Sequence, residues 1–421
     1  MDTAIVETVA QIFRGGSAIV QDPYPFFAQV REKAPLFRAS VFGPVPDVHV
    51  TRYADVYAAL RDPRLSSERP HGGIRPQVEG GDLSAEDEAA LAASERVNTM
   101  SMLTKDPPDH TRLRKLVAKA FSPRVVEQQR PMVQAIVDDL LARASRQDGV
   151  DFIRAVAAPL PAQVIAALLG VPQEDWAKFK QWSDGVISFD PDVILPSARS
   201  TARLDAYFRA MIAARREEPR DDLLSALVRA RDERGSLTED EMVVQCVVLL
   251  TGGHETTTQA LGSALATLAK QPEVWHELRE HPELVPGVVD ECLRLESPFQ
   301  FNNRVAREDL EIASQTVRKG EFVWLWVAAA NRDPRQFDLP DLIDPHRSGG
   351  KHLSHLAFGG GIHYCLGAVL ARLELHIALT TLTQRYPAFR VIEAPVRWRD
   401  NVALRGPSAL HVNFGREMRA R

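Results

Sequence analysis

Cysteine is scarce in this chain: three in 421 residues, Cys246, Cys292 and Cys365, odd in number and far apart. That count excludes a disulfide framework, and a reducing cytoplasm is the expected setting. Long apolar runs are missing too. The most apolar stretch, MVVQCVVLL (Met242–Leu250), is far shorter than the ~20 residues a membrane helix needs, so no membrane anchor is expected. The opening MDTAIVETVAQIFRGG has no basic n-region or sustained apolar core and does not read as a signal peptide. No charge of one sign dominates: 51 Lys and Arg stand among 56 Asp and Glu, for a net charge of −5. This excludes the basic face of a nucleic-acid binder. There is no Gly/Ser linker, Pro-rich run, charge block or internal repeat. With 45% apolar and 25% charged residues the composition is that of a globular protein. With nothing to divide it, the chain is expected to form a single large domain, 1–421, with a small β-rich part in the N-terminal region and helix for the remainder.

What is there is mostly helix. PLFRAS and DVHVTRY alternate like strands, and RYADVYAALRD reads as a helix. Residues 66–99, rich in Gly, Ser, Glu and Ala, read as a long connection holding one helix, AEDEAALAAS; a loop of that length is functional or disordered. From Asp109 amphipathic helices follow one another, including a single helix over VVEQQRPMVQAIVDDLLARAS. TEDE places a capping box at Thr238 and Glu241, opening the longest helix, which runs to about Lys270. Leu366, Leu370, Leu373 and Ile377 set the stripe of another helix. The tail, from Phe389, reads as β-hairpins.

Four motifs stand out. In FGGGIHYCLG (Phe358–Gly367) a run of glycines lets backbone come close to whatever the following cysteine holds, and a predicted helix start beside Cys365 favours a thiolate. In GGHETT (Gly252–Thr257) consecutive glycines and two threonines, with a third at Thr258, weaken the longest helix. Gly253 would let something bulky approach there, and Thr256 and Thr257 can bond back to carbonyls. In ECLR, Glu291 and Arg294 lie on one helical face between apolar flanks. In DPPDHTRLR, His110 and Arg114 are four apart on one face. Each has a plainer reading alone: an inert cysteine, a kinked helix, a surface ion pair, solvated charge.

Together, and in this order, the motifs resemble those of the cytochrome P-450 family. FGGGIHYCLG matches every fixed position of the family's haem-binding loop, Phe-x-x-Gly-x-(Arg/His)-x-Cys-x-Gly, at Phe358, Gly361, His363, Cys365 and Gly367. The resemblance implies haem b (iron protoporphyrin IX) with Cys365 as axial ligand of the iron. It implies a mainly α fold with small β-sheets, the haem lying between the long central helix and the cysteine-loop helix. Glu255 and Thr256 match the acid–alcohol pair that delivers protons; Gly252 stands where the family more often has Ala. His110, Arg114, Arg304 and His363 match propionate partners, a sensible set because charge-assisted bonds to carboxylates are strong. Glu291 and Arg294 match the structural Glu-x-x-Arg pair, with Arg347 as the partner arginine.

The implied activity is that of a haem-thiolate monooxygenase: O2 activated with two externally supplied electrons to hydroxylate or epoxidise a medium or large apolar molecule (terpenoid, steroid, polyketide or fatty acid). A ferredoxin with its reductase is the expected donor, and Arg112, Lys115 and Lys119 the expected docking face. Family analogy places Met102, Leu103, Phe189, Leu250, Thr251, Gly252, Phe299, Phe301 and Leu404 at the substrate, though the same aromatics suit a core. A monomer is expected. Three alternatives stand beside this: a peroxide-driven peroxygenase, which would not need Glu255 and Thr256; a non-enzymatic haem sensor or carrier; and a structural protein without haem, which would be colourless.

Overall fold

Where the sequence places a capping box, a helix begins. Thr238 Oγ1 accepts from the Glu241 amide at 3.1 Å, and a Glu241 carboxylate oxygen accepts from the Thr238 amide at 2.9 Å. Two otherwise orphaned N–H groups are satisfied reciprocally. The helix then runs unbroken from Glu239 to Leu268.

The computed structural model describes residues 3–14, 18–40, 46–68, 83–183, 186, 193–234, 237–347, 355–386, 388–392 and 395–415. Its helices are α1 (Thr3–Arg14), α2 (Ala18–Gln21), α3 (Tyr24–Lys33), α4 (Tyr53–Ala59), α5 (Ala85–Met100) and α6 (Asp109–Ala118). Then come α7 (Pro123–Gln128), α8 (Arg130–Ala144), α9 (Pro159–Leu169), α10 (Trp176–Ser183), α11 (Ile194–Glu217) and α12 (Leu223–Arg234). The last are α13 (Glu239–Leu268), α14 (Pro272–Glu280), α15 (Val285–Leu295), α16 (Val327–Ala330) and α17 (Ala368–Arg385). The strands are β1 (Leu36–Ala39), β2 (Asp47–Val50), β3 (Leu65–Ser66), β4 (Val150–Asp151) and β5 (Asn302–Ala306). They continue with β6 (Leu310–Ile312), β7 (Gln315–Val317), β8 (Phe322–Leu325), β9 (Arg390–Val391) and β10 (His411–Asn413). No described helix is long and apolar enough to cross a membrane.

The chain packs as two compact units, each interleaved in sequence. The first comprises Met1–Ser66, Val133–Ala158 and Thr256–Arg421. It holds every described strand. A five-stranded sheet has the order β1-β2-β8-β5-β3, in which only the β2–β8 pair is parallel. Interior β2 is covered on both faces, so Val48, His49 and Val50 are all buried. Leu36, Val48, Val50, Val323 and Leu325 pack with Tyr53 and Val56 of α4 and with Phe337 and Leu356. The sheet thus draws from both ends of the chain, more widely than a β-rich N-terminal region. The tail pairs antiparallel with itself, as expected: β9 pairs with β10. Trp398 bridges Pro407, with the Arg399 amide donating to the Gly406 carbonyl and the Ser408 amide to the Arg397 carbonyl, each at 2.9 Å. β10 also pairs with distant β4.

The second unit comprises Ser67–Met132 and Pro159–Glu255 and, among its described residues, is helical. α5 is longer than the sequence pattern suggests and packs along α11, with ion pairs Arg96–Asp205 and Arg199–Asp87 at 3.0 and 2.7 Å.

The single helix expected over 125–145 is two, α7 and α8, parted at Gln129. Pro131 stands at the second position of α8, where its missing N–H costs nothing; it could not continue a preceding helix without losing a bond and clashing with the carbonyl four residues back.

Candidate active site

The glycine loop is built against the segment after α4. Gly361 has φ +64°, and a Cβ on it would lie 2.5 Å from the Leu60 carbonyl oxygen. Both the backbone conformation and the space exclude an L side chain there. A single tight turn, Gly361–His363, leads to Tyr364, and the Cys365 amide folds back to donate to the Phe358 carbonyl at 2.9 Å. Gly367 caps α17, so Cys365 lies two residues ahead of the cap and not in the helix's first turn, as the sequence had suggested. Its side chain is exposed and forms no disulfide. A Cβ on Gly367 would meet nothing within 4 Å.

Phe358 is held from below. The Arg372 guanidinium lies 4.5 Å from its ring centroid, and the His355 and Tyr364 rings flank it at 5.6 and 6.3 Å. Arg372 Nε donates to Asp290 at 2.7 Å and Arg372 Nη1 to the Tyr364 hydroxyl at 3.3 Å. His355 Nδ1 accepts from the Ala357 amide at 3.2 Å. The ring proton is therefore on Nε2, which meets the same Asp290 oxygen at 3.3 Å. Burial pushes the Asp290 carboxyl up, but the hydrogen bond from His355 and the charge of Arg372 outweigh it and hold it below its ordinary value. Neither Asp290, His355 nor Arg372 is flagged by local sequence spacing; a charged residue directly before Glu291, in an apolar run, is the only hint.

Directly beside Asp290, the Glu291 carboxylate takes Arg294 Nε and Nη2 at 2.7 and 2.9 Å and Arg347 Nε at 2.9 Å. Arg294 also donates to the carbonyls of Asn331, Pro340 and Leu342. All three charged groups are nearly buried. Desolvation would raise the Glu291 carboxyl, but Arg294 and Arg347 hold it below the usual carboxylate range.

The GGHETT segment is helical throughout. A Cβ on Gly253 would press on Ile165 Cγ1 of α9 at 3.2 Å, whereas a Cβ on Gly252 would meet nothing within 4 Å. The open side of the helix is therefore at Gly252, not at Gly253; neighbouring helix residues point about 100° apart, from 3.6 residues per turn. His254, buried, meets the Leu250 carbonyl through Nδ1 and the Ser183 hydroxyl of α10 through Nε2 at 3.2 and 3.3 Å. This link was not legible in the sequence. Glu255 is buried, Thr256 half-buried and Leu250 buried; Thr251 Oγ1 donates back to the Val247 carbonyl at 2.9 Å.

The basic residues divide between the units. Arg304 on β5 and His363 belong to the first; His110 and Arg114 on α6 belong to the second. His110 and Arg304 are buried. Desolvation and then the Arg114 charge hold the His110 imidazole below its ordinary value. Lys115 and Lys119 are exposed. Arg112 donates to Glu241 at 2.5 and 3.1 Å and to Asp109 at 3.0 Å, so its charge is paired within the unit.

Of the apolar candidates, Met102 is buried, its amide donating to Gln245 at 3.2 Å. Leu103 is exposed. Phe299 and Leu404 form an antiparallel bridge, with Leu404 buried. Phe301 packs instead into an aromatic core with Phe13, Trp324 and Trp326, at 4.7 Å from the Trp324 ring centre. Phe189 lies outside the described residues.

This donor set suits one kind of metal group. Among the described residues no three His, Cys, Asp or Glu side chains cluster as a bare metal ion would require. Within the first unit, one exposed thiol on a glycine loop, with Arg304 and His363 as basic side chains for carboxylates, fits a haem iron, which takes a single strong thiolate from the protein.

Comparison with known proteins agrees. The cytochrome P450 family model matches residues 155–392. The chain is 40% identical over 405 residues to nocardicin C N-oxygenase of Nocardia uniformis subsp. tsuyamanensis, covering 95% of this chain and 97% of that one. It is 37% identical over 404 residues to vitamin D(3) 25-hydroxylase of Pseudonocardia autotrophica, covering 94% of each. The tirandamycin C-bound P450 monooxygenase TamI superposes with a TM-score of 0.81 at 38% identity, over 94% of this chain and 98% of that one. The chain with the glycine-loop Cys365 thus belongs to the cytochrome P450 family, as a haem-containing monooxygenase of the bacterial type.

Proposed function

We propose that Cys365 ligates the haem iron, that Glu255 and Thr256 supply protons, and that the chain oxidises a medium or large apolar small molecule with electrons from a ferredoxin and its reductase. The observation that carries this reading is the loop: an exposed thiol at Cys365, backbone-tied to Phe358, ahead of α17. Bound haem supplies oxygen activation, and thiolate donation favours O–O cleavage. The protein's part is orientation and proton supply. Glu255, buried beside half-buried Thr256 on α13, is a carboxyl close in sequence to a hydroxyl, a pair suited to relaying a proton. Arg304 and His363, with His110 and Arg114, carry the charge to hold two propionates.

The substrate class draws on buried Met102, Leu250 and Leu404 and on relatives named for nocardicin C, vitamin D(3) and tirandamycin C. For electron supply, the loop and first turn of α17 expose Ile362, Tyr364 and Val369, an apolar surface suited to a transient partner. Lys115 and Lys119 add exposed positive charge on the other unit.

The deciding experiment is Cys365→Ser. Reduced, carbon-monoxide-bound wild type is expected to show the strongly red-shifted Soret band of a thiolate haem, and the variant to lack it; a variant that keeps the band refutes the ligand assignment. Thr256→Ala is expected to keep the band yet consume oxygen without product. Equal turnover with peroxide and with a ferredoxin system would favour a peroxygenase. A spin-state difference-spectrum screen of apolar compounds identifies the substrate.

A further inference from the structure

We infer that Asp290 and Arg372 tune the reduction potential of the haem iron that Cys365 would ligate, through Phe358, acting as a balanced charge pair whose two halves pull in opposite directions. The inference rests on Cys365 as the haem ligand and not on any substrate.

The connection is short and lies wholly within the first unit. Phe358 is bound to Cys365 by the amide–carbonyl bond of 2.9 Å, and its ring lies 4.5 Å from the Arg372 guanidinium carbon. A cation over an aromatic face is attracted by the ring quadrupole, so Arg372 both fixes the ring and places a positive charge beside the loop. Asp290 takes Arg372 Nε at 2.7 Å and His355 Nε2 at 3.3 Å. His355 is read as neutral, because its Nδ1 accepts from the Ala357 amide. The cluster then sums to zero: one guanidinium, one carboxylate, one neutral imidazole. The Asp290 and Arg372 side chains are 37% and 28% exposed, so solvent screens their fields without abolishing them.

Iron reduction adds one electron, supplied from outside, with no proton or group transfer. A nearby positive charge favours the reduced form and a negative charge opposes it. Removing the carboxylate leaves Arg372 uncompensated; removing the guanidinium leaves Asp290 uncompensated. Mere loosening of the loop would move the potential the same way in both variants. Opposite signs are therefore the signature of the charge pair. Neither residue contacts the reacting atoms in this reading; both are positioning residues.

The test is a spectroelectrochemical titration of the haem-loaded protein and its D290N, R372Q and R372K variants. D290N is expected to shift the midpoint positive and R372Q negative, with R372K close to the parent. The reduced carbon-monoxide band must be retained in each. Should R372Q lose it, D290N alone decides: a positive shift supports the pair, and a midpoint at or below the parent's overturns it. Shifts of the same sign, or none, with the thiolate band intact, also overturn it. Loss of that band in the parent would instead refute the ligand assignment, so the two failures are distinguishable.

Discussion

Arg347 donates to the Glu291 carboxylate at 2.9 Å from fifty-six positions further along the chain, onto the oxygen that also takes Arg294 Nη2. Both side chains are under one-tenth exposed. Arg347→Ala leaves a buried carboxylate with half its countercharge, and breaking a buried pair costs about 3–5 kcal/mol. Urea unfolding is expected to show a lower midpoint of that order, with unchanged slope. Arg294→Ala should cost more, because the carbonyls of Asn331, Pro340 and Leu342 also lose their donor. Equal midpoints for Arg294→Ala and Arg347→Ala would contradict this ranking.

Gly252 and Gly253 make a paired test of the open helix face. Ala is better than Gly inside a helix by roughly 1 kcal/mol. At Gly252 nothing opposes that gain, so Gly252→Ala is expected to raise the thermal midpoint while weakening ligand spin-shift titrations if substrate lies against that face. At Gly253 the new methyl meets Ile165 at 3.2 Å, and overpacking costs about 1–3 kcal/mol. Gly253→Ala should therefore be neutral or destabilising, and Ile165→Val should not relieve it fully, since valine removes only Cδ1 and keeps the Cγ1 that lies at 3.2 Å. A higher midpoint for Gly253→Ala than for Gly252→Ala would reverse the assignment.

What was legible in the sequence is what depends on neighbours along the chain. The Thr238–Glu241 capping box and the Glu291–Arg294 pair are set by three-residue spacing, and a helix brings such residues together wherever it lies. Arg347, by contrast, could be named only through the family resemblance, because nothing local ties residue 347 to residue 291. The Asp290–His355–Arg372 group escaped notice for the same reason: its members sit on α15, in a loop and on α17, and only tertiary packing joins them. Patterns also mislead where two outcomes share one composition. Phe299 and Phe301 look alike in PFQFNN, yet one bridges to Leu404 and the other enters the aromatic core. The tail's own antiparallel pairings, β9 with β10 and Trp398 with Pro407, were legible as hairpins, but the further partner β4 lies some 260 residues earlier, and a hairpin reading assumes a near neighbour.

His49 gives the fold a pH dependence of definite sign. It is fully buried, stacked on Phe37 at 4.8 Å, accepting from Trp326 Nε1 at 3.1 Å and reaching the Ala39 carbonyl through Nε2 at 3.2 Å. A proton on Nδ1 would displace the Trp326 bond. Desolvation pulls its pKa from 6.5 down to about 3. Between those values the unfolded chain binds the proton and the folded one does not, so stability falls as pH falls, by at most about 1.4 kcal/mol per pH unit. The stabilisation is fully present above the unfolded value. Unfolding midpoints between pH about 6.5 and 5, above the carboxylate range, are expected to decline in the parent and to decline less in His49→Gln. Parallel slopes would show that His49 is not the titrating group.

Glu296 joins three distant segments, and one of them carries the Phe299–Leu404 bridge. Its carboxylate accepts from the Tyr24 hydroxyl at 2.6 Å, Arg405 Nε at 2.7 Å and Arg332 Nη2 at 3.2 Å. Burial raises the carboxyl, but Arg405 and Arg332 bring it below its usual range. Arg405 also donates to the carbonyls of Val20 and Gln21, and its amide donates to Pro298 at 2.8 Å, beside the bridge. Glu296→Gln leaves two buried guanidinium groups without their shared countercharge and is expected to cost about 3–5 kcal/mol. Arg405→Gln leaves Glu296 with Arg332 and should cost less. Because the groups form one network, the double variant should lose less than the sum of the singles, a coupling of about 0.5–3 kcal/mol. If the proposed substrate contact at Leu404 holds, Arg405→Gln should also raise the dissociation constant of an apolar ligand in spin-shift titrations, since Leu404 loses its anchored neighbour. Additive unfolding costs would show that the groups do not act as one network, and an unchanged ligand constant would separate the cluster from the proposed contact at Leu404.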